Sequence, residues 1–442
     1  MIKTLNKFVL SAACFLCLAP AQTKAVDYPV IDLSLNTAIL FALNDNPEID
    51  IFMERYAQSG AYIKDAESAL YPQVSLTGRV GREYNNPSGS NGKSDVNNYA
   101  TMGINLEQLI FDGFETQHGI KRYENLNQEA YWNAQNKVEE ILTSTVEAYM
   151  NILRYQQATQ ISADLLADIQ GTVSYINEQY KAGAADKVIV DYANSRLANA
   201  RTELNNAQSS LNDAFSDLEY LTGKLPPKFT THYPELLNPD KLDLQYFMNL
   251  SEHENSQVVA TEYAVMAKEH QLAAQRGRDL PSLNFIMGAS QSHNSGGDIG
   301  IEREASASIR LDYDLFDGGK RKQVKNRIKS EINELAIQHR RVVKEIHRDI
   351  KQSYNQITAS ADSLQATEEE ITASTALKAL NEENFKLGTI NIIELIESAE
   401  RLNTAKLKKV TLTNDMYMES YRLLILSSML GQDFFCASCG YE

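Results

Sequence analysis

The sequence of 442 residues lacks long apolar runs beyond its start, and it contains only 4 cysteines and 10 prolines. After residue 25 no apolar stretch approaches the ~18–20 residues that a membrane-spanning helix requires, so no such helix is expected. Strands can still cross a membrane, because their sequence signal is only alternation. The formal net charge of −16 comes without a basic patch, which excludes a typical nucleic acid partner.

The first 25 residues predict a secretory signal peptide. Lys3 and Lys7 form a basic start, an apolar core follows, and small residues precede candidate cleavage positions near Ala21 or Ala25. A lipoprotein signal ending at Cys14 is less favoured, because it would leave too short an apolar core. We therefore expect residues 1–25 to be removed and the mature protein to leave the cytoplasm.

Two cysteines, Cys436 and Cys439, remain outside the signal in the sequence CASC. An inert disulfide or a pair of free thiols is the favoured interpretation. A redox motif would open a helix within a strand–helix–strand unit, and a zinc site would need two further ligands. Neither context accompanies these two residues, so we predict no metal site and no cofactor.

Catalytic signatures are missing as well. The seven histidines are scattered, and the sequence contains no H-E-x-x-H, no G-x-S-x-G and no phosphate-binding loop. His339 and His347 lie eight positions apart on one predicted helix, where a surface location is favoured over a site. The sequence therefore predicts no catalytic residue and no enzyme.

What the sequence does contain is a tandem repeat. Four landmarks recur in the same order at an interval of 205 to 209 residues. They are Pro72 and Pro281, the F-D-G motifs Phe111, Asp112, Gly113 and Phe316, Asp317, Gly318, the K-x-G glycines Gly183 and Gly388, and the glycines Gly223 and Gly431. We expect a first repeat over 26–223, an equatorial linker over 224–250, a second repeat over 251–431 and a tail over 432–442.

Alternating stretches follow Pro72 and Pro281, which mark the entry to the strands. Before the second F-D-G, Ile309 and Leu311 share one side and Ser308 and Arg310 the other. Strict alternation of this kind predicts strands with one apolar and one polar face. Glycine- and asparagine-rich turns split each alternating region into a hairpin, which gives four strands of about ten residues per chain.

Two long polar stretches predict helices, Glu115–Lys181 and Lys320–Leu387, with apolar residues at steps of three and four. Such a narrow stripe is typical of coiled coils. Their predicted partners are shorter, Leu33–Leu70 and Ala184–Thr222. At Gly183 and Gly388 one helical pattern gives way to the next with almost no loop. A glycine there permits the left-handed residue that ends a helix, so each half forms a long helical hairpin with a tight tip.

Four strands cannot form a closed sheet in a membrane. The edges of an open sheet would leave unpaired backbone groups in lipid, and the smallest membrane barrels have about eight strands. Other copies of the chain must therefore complete the sheet. A cyclic oligomer does so, and three copies supply twelve strands.

Roughly residues 27 to 431 resemble the TolC family of outer-membrane efflux and secretion ducts. The resemblance rests on the opening helix LNTAILFALNDNPEI, the two F-D-G corners, and the hairpin tips YKAGAADKVIVDYANSRL and FKLGTINIIELIESAERL. It implies a mainly α fold with a small β part: a homotrimer with a shared twelve-stranded transmembrane β-barrel above a tunnel of long antiparallel helices. The proline-rich, aperiodic segment Leu225–Asn249 would belong to an equatorial girdle.

The resemblance also implies a function. It indicates a passive exit duct in the outer membrane that contacts lipid and works with an inner-membrane ABC or proton-driven pump. A periplasmic adaptor would dock on the tips around Tyr175–Tyr192 and Leu380–Ala399. Whether the cargo is secreted protein or small toxic molecules is left open. A periplasmic coiled-coil adaptor or scaffold is the alternative, but it explains the helices without the duplicated strands.

Glu394 and Glu397 follow Gly388 by six and nine positions. By themselves they indicate a solvated helix face. The resemblance places them in the acidic constriction at the closed periplasmic mouth of the tunnel. Better-known family members have a basic residue and a tyrosine where this chain has Ile390 and Phe385, so we expect other pairs to hold the closed state.

Overall fold

The computed structural model describes residues 31–85, 95–223, 229–234, 243–295 and 299–430. The predicted signal peptide, Cys436, Cys439 and the tail lie outside these ranges. The first repeat comprises β1 (Ile31–Asp32), α1 (Leu35–Asp45), α2 (Pro47–Ser68), β2 (Gln73–Asn85), β3 (Asp95–Phe111), α3 (Glu115–Lys181) and α4 (Lys187–Thr222). The segment 224–250, predicted as a linker, contains β4 (Phe229–Thr230) and the start of α5 (Leu244–Glu254). It is followed by α6 (Ser256–Gly277), β5 (Ser282–His293), β6 (Ile301–Asp312), α7 (Lys320–Lys386) and α8 (Ile392–Leu426). The predicted fold class, mainly helical with four long strands, is confirmed.

The long helices α3 and α7 each contain 67 residues, which corresponds to about 100 Å of helix. Each is followed by a helix that runs back along it, so that α3 with α4 and α7 with α8 form two hairpins, and α3 also packs on α8. Buried apolar residues are distributed along these contacts in three separate clusters. The core is therefore a set of narrow seams between helices.

The helix predicted over Leu33–Leu70 is interrupted at Asn46. Proline at 47 disfavours a helical backbone at the residue before it, so α1 ends there. The side chain of Asn46 then accepts a hydrogen bond from the N–H of Glu48 at 3.0 Å and begins α2. Asn255 begins α6 in the same way, accepting from the N–H of Gln257 at 3.1 Å.

Four antiparallel strands form one sheet in the order β2–β3–β5–β6. Strands β3 and β5 join the two repeats, with Leu106 opposite Met287, and β2 and β6 form the edges. A second, two-stranded sheet pairs β1 with β4 in parallel. Across the described residues, no helix combines the length and the apolar character needed to span a membrane.

Tyr149 connects the residue Leu33 before α1 to the residue His232 after β4. Its hydroxyl lies 2.9 Å from the carbonyl oxygen of Leu33 and 3.0 Å from that of His232, and it accepts from the N–H of His232 at 3.2 Å. The predicted aperiodic segment Leu225–Asn249 differs from the structure at its end, where α5 begins at Leu244. Asp243 caps this helix by accepting from the N–H of Gln245 at 2.9 Å.

Candidate functional site

The first F-D-G motif lies between β3 and α3. Phe111 ends the strand, and a carboxylate oxygen of Asp112 accepts from the N–H of Thr116 at 2.8 Å in the first turn of the helix. Gly113 has a φ of +70°, and a Cβ there would lie 2.2 Å from the carbonyl oxygen of Gly277. Glycine is therefore required both by the backbone angle and by the close approach of α6.

The second motif repeats this capping arrangement. Asp317 accepts from the N–H of Arg321 at 2.8 Å and from its Nε at 2.9 Å. Gly318 has a φ of +66°, but nothing lies within 4 Å of the Cβ position. Phe316 and Leu315 are 88% and 87% exposed. The second corner is thus open where the first is covered by the other repeat. Pro72 and Pro281 directly precede β2 and β5.

The tip glycines Gly183 and Gly388 have φ values of +75° and +74°. At the first tip the N–H of Ala184 donates to the carbonyl of Gln179 at 2.8 Å, and Thr389 donates to Asn384 at 3.0 Å at the second. This six-residue closure is the hydrogen bond that ends a helix at a left-handed glycine. Both hairpins therefore reverse within a few residues and expose their tips.

Glu394 and Glu397 are exposed near the start of α8. Glu394 also has a local role, because its N–H donates to Oδ1 of Asn391 at 3.0 Å while Nδ2 of Asn391 donates back to its carboxylate at 3.1 Å. This arrangement is a variant of the capping box in which the carboxylate accepts from the side-chain amide of Asn391, and the N-x-x-E spacing could have revealed it from the sequence. The buried side of this helix segment includes Ile392 and Ile396.

A cross-helix ion pair near the tips was not predicted from the sequence. Nη1 of Arg196, on α4, lies 3.5 Å from a carboxylate oxygen of Glu400, on α8. The guanidinium also lies 5.1 Å from the ring centre of Tyr192. The proximity of Tyr192, followed by the charges of Glu400 and Glu397, raises the pKa of Arg196. Arg196 therefore links α4 to the acidic face of α8.

A second link joins the two hairpins on another side. Nζ of Lys378, on α7, lies 2.6 Å from a carboxylate oxygen of Asp168, on α3, and 3.2 Å from Glu382. No local spacing in the sequence connects residues 210 positions apart. These ion pairs depend on which helices lie side by side and at which level.

Glu139 is a buried carboxylate on α3. It is 4% exposed, and Ser256 Oγ donates to it at 2.6 Å while Ser428 Oγ lies 3.4 Å away. Burial raises the pKa of Glu139 to about 7, although the two serine hydroxyls oppose this effect. The contacts hold α3 against the start of α6 and the end of α8. Among the residues that the structure describes, no group of three or more His, Cys, Asp or Glu could hold a metal ion.

Known proteins share both the sequence pattern and the fold. A family model described as "Outer membrane efflux protein" matches residues 39–224 and 248–427. The outer membrane efflux protein BepC of Brucella suis biovar 1 (strain 1330) is 25% identical over 384 residues, covering 85% of this chain and 82% of that protein. The outer membrane protein TolC of Escherichia coli (strain K12) is 24% identical over 397 residues, covering 84% and 76%.

Two solved channels have a similar fold. The Campylobacter jejuni CmeC outer membrane channel superimposes with a TM-score of 0.82 at 13% identity, covering 92% of this chain and 89% of that one. A CusC structure superimposes with a TM-score of 0.79 at 13% identity, covering 90% and 92%.

Proposed function

Because the chain belongs to the outer membrane efflux protein family, whose members are outer-membrane channels, we propose that it is the passive exit duct of a tripartite export system. In this proposal three copies form a channel that crosses the outer membrane as a shared barrel and extends into the periplasm as a helical tunnel. The duct performs no catalysis and binds no cofactor. It serves either type I protein secretion or multidrug efflux, with an inner-membrane ABC or proton-driven pump supplying the energy.

The observation that carries the proposal is that the four-stranded sheet of a single chain has two unpaired edges. Among the described residues, the edge strands β2 and β6 each pair on one side only, and both expose large apolar residues: Val74, Leu76, Ile309 and Leu311 are 62–67% exposed. Such edges favour pairing with another chain. Pairing β6 of one copy with β2 of the next removes both edges, and three copies close a ring of twelve strands.

The open second corner supports the same assembly. Within the chain, Gly113 is covered by Gly277 and Leu280, which belong to the junction between α6 and β5. The duplicated positions in the first repeat are Ser68 and Tyr71, and Tyr71 is 67% exposed. In a ring, these residues of the next copy would cover Gly318 and the exposed Phe316 beside it.

We propose that the hairpin tips are the docking surface for a periplasmic adaptor. Two similar tips per chain give six in a trimer, which suits a six-membered adaptor ring. The Arg196–Glu400 ion pair supports a closed state, because it connects α4 of the first hairpin to α8 of the second. Ile390 and Phe385 are uncharged and cannot form such a pair. Opening would separate α4 from α8 and break this pair.

Glu394 and Glu397 form the proposed acidic constriction. Their exposure on one chain supports this role, since the carboxylates of three copies are then available to line a common opening. Six carboxylates at a narrow mouth would favour cations over anions. Arg196 lies on the same side, so it would moderate the charge of the ring beside Glu397.

Cell fractionation, followed by measurement of oligomeric state and channel activity, distinguishes the proposed duct from a periplasmic coiled-coil adaptor or scaffold. We expect a heat-modifiable trimer in the outer-membrane fraction that conducts ions after reconstitution in planar bilayers. A monomer or dimer in the soluble periplasmic fraction, without channel activity, would overturn the proposed duct and favour the adaptor.

A further inference from the structure

The contact between α3 and α6 is one of those that connect the two repeats, and among the described residues no equivalent contact exists between α7 and α2. Helix α2 packs on α3 in the first repeat as α6 packs on α7 in the second. In addition α3 packs on α6, which places the four helices in the order α2–α3–α6–α7. Among the described residues α7 and α2 form no comparable joint, so they are the two outer flanks of the layer.

The contacts of the existing joint define its two helix faces. Glu139 of α3 accepts from Ser256 Oγ at 2.6 Å, and Nδ1 of His118 lies 3.3 Å from Nδ1 of His270 on α6. Position 135 lies one turn from Glu139 on the same side of α3, and Val259 and Tyr263 lie three and seven positions beyond Ser256 on α6. At helical steps of three and four residues from Ser256 to His270, this face of α6 carries no carboxylate.

The repeat interval shows which residues of α7 correspond to the α6-facing residues of α3. At an interval of 205, Gln135 corresponds to Arg340 and Glu139 to Lys344. Arg340, Lys344 and their neighbour Arg341, which pairs with Glu345 at 3.1 Å, are exposed, and Ile337 on the same side is 58% exposed. The face of α3 that carries Glu139 is buried, whereas the corresponding face of α7 is exposed and basic. We call this face of α7 the basic flank (Ile337, Arg340, Arg341, Lys344).

The residues of α6 correspond to residues of α2 at an interval of 209, which is the separation of Asn46 and Asn255. Val259 corresponds to Asp50, Ala260 to Ile51 and Tyr263 to Glu54. Asp50 and Glu54 are exposed, and Ile51 is 51% exposed. The counterpart of a mostly apolar face of α6 is thus an acidic one, which we call the acidic flank (Asp50, Ile51, Glu54).

We propose that the basic flank of one copy docks on the acidic flank of the next copy of this chain, with Lys344 at the start of α2 and Arg340 beside Asp50 and Glu54. The inference rests on the proposed function in that it presupposes a ring of copies. Charge complementarity identifies the occupant, because the acidic flank would repel a second acidic flank and the basic flank a second basic one. The joint therefore accepts only a head-to-tail neighbour, which is what a closed ring requires.

A charge-reversal series tests this joint. In the variant Arg340→Glu with Lys344→Glu, acidic side chains face acidic ones at each junction, and we expect the trimer fraction in detergent extracts to fall on the order of tenfold. Adding Asp50→Lys and Glu54→Lys to the same chain restores the opposite charges and should recover the trimer. Lys329→Glu is the matched control, because Lys329 is exposed on α7 and its counterpart Glu124 is exposed on α3.

Photo-crosslinking tests the same joint without disturbing its charges. A benzophenone amino acid at position 337 should crosslink to the segment 47–58 of another copy. Trimers that persist in the reversed variant, failure of the four-residue swap to restore them, or a crosslink to a different segment would overturn the inference while leaving the duct intact. A wild-type chain that forms no trimer would instead overturn the proposed function.

Discussion

Arg196 on α4 and Glu400 on α8 form an ion pair at 3.5 Å between residues 204 positions apart in the sequence. The pair connects the first hairpin to the second, and both side chains are about one-third exposed, at 35% and 29%. An ion pair with this exposure is expected to contribute roughly 0–1 kcal/mol, so it can bias a closed state without locking it permanently.

Removing this tie should favour the open tunnel. For Arg196→Ala we expect the population of open channels to rise roughly two- to five-fold, the change that ~0.4–1 kcal/mol allows. Single-channel recording in planar bilayers measures it. Arg201→Ala, five positions further along α4, is the control and should leave the open population unchanged. Equal open populations in both variants would show that Arg196 does not hold the closed state.

The tip glycines should matter for export and not for assembly. Gly183→Val places a β-branched residue at a φ of +75°, and Gly388→Pro requires a negative φ where the structure has +74°. Export should be lost while trimers remain in the outer membrane. Gly171→Ala, within α3 and in open space, is the control and should be neutral. Normal export by both tip variants, at normal protein levels, would rule out the tips as the docking surface.

The two faces of β6 should respond differently to a charge. Ile309 and Leu311 lie opposite Phe285 and Leu283, and we expect this apolar face to meet lipid. Arginine at Ile309 or Leu311 should cost ~2–4 kcal/mol near the middle of the bilayer and reduce the amount of assembled trimer. Ser308→Arg on the other face should be tolerated. A more severe loss of trimer from Ser308→Arg would mean that the faces are reversed.

The acidic constriction should govern ion selectivity. The double variant Glu394→Gln with Glu397→Gln removes the charges, yet glutamine at 394 still offers an oxygen to Asn391 and so preserves the helix cap. We expect weaker cation preference and weaker block by multivalent cations from the periplasmic side, with trimer assembly intact. Planar-bilayer reversal potentials measure the change. Unaltered selectivity and block would show that both glutamates lie on an ordinary solvated helix face and do not line the constriction.

Stability should depend on pH through Glu139. Burial raises the pKa of this carboxyl from its ordinary 4.5 to about 7 in the folded chain, so the neutral form is favoured by folding. The stability that this adds is fully present below pH 4.5 and is lost as the pH rises through 7. The difference between the two pKa values corresponds to about 3 kcal/mol.

The substitution Glu139→Gln should therefore leave stability nearly unchanged at pH 4.5 and make the protein more stable than wild type above pH 8. Thermal unfolding of the purified protein across this pH range measures the effect. Glu140→Gln serves as the control because the neighbouring Glu140 side chain is 54% exposed. Parallel pH profiles for wild type and Glu139→Gln would show that the buried carboxyl does not titrate near neutrality.

The sequence by itself determined the repeat, the element types and much of their extent. The helix predicted over Glu115–Lys181 has those bounds in the structure, and the one predicted from Lys320 to Leu387 differs by a single residue. This succeeded because strand alternation, helix periodicity and left-handed glycines are all local properties of the chain. The break at Asn46 and the helix cap formed by Asn391 with Glu394 were equally local, and the pattern N-P and the spacing N-x-x-E could have indicated them.

Only the tertiary structure decided which residues meet between elements. Periodicity shows that one face of a helix is buried, but it gives neither the neighbouring helix nor the level at which two helices cross. Arg196 with Glu400, Lys378 with Asp168 and the burial of Glu139 beside Ser256 all depend on that level. Gly113 and Gly318 have similar φ values of +70° and +66°, so it is the long-range contacts that distinguish the covered first corner from the open second one.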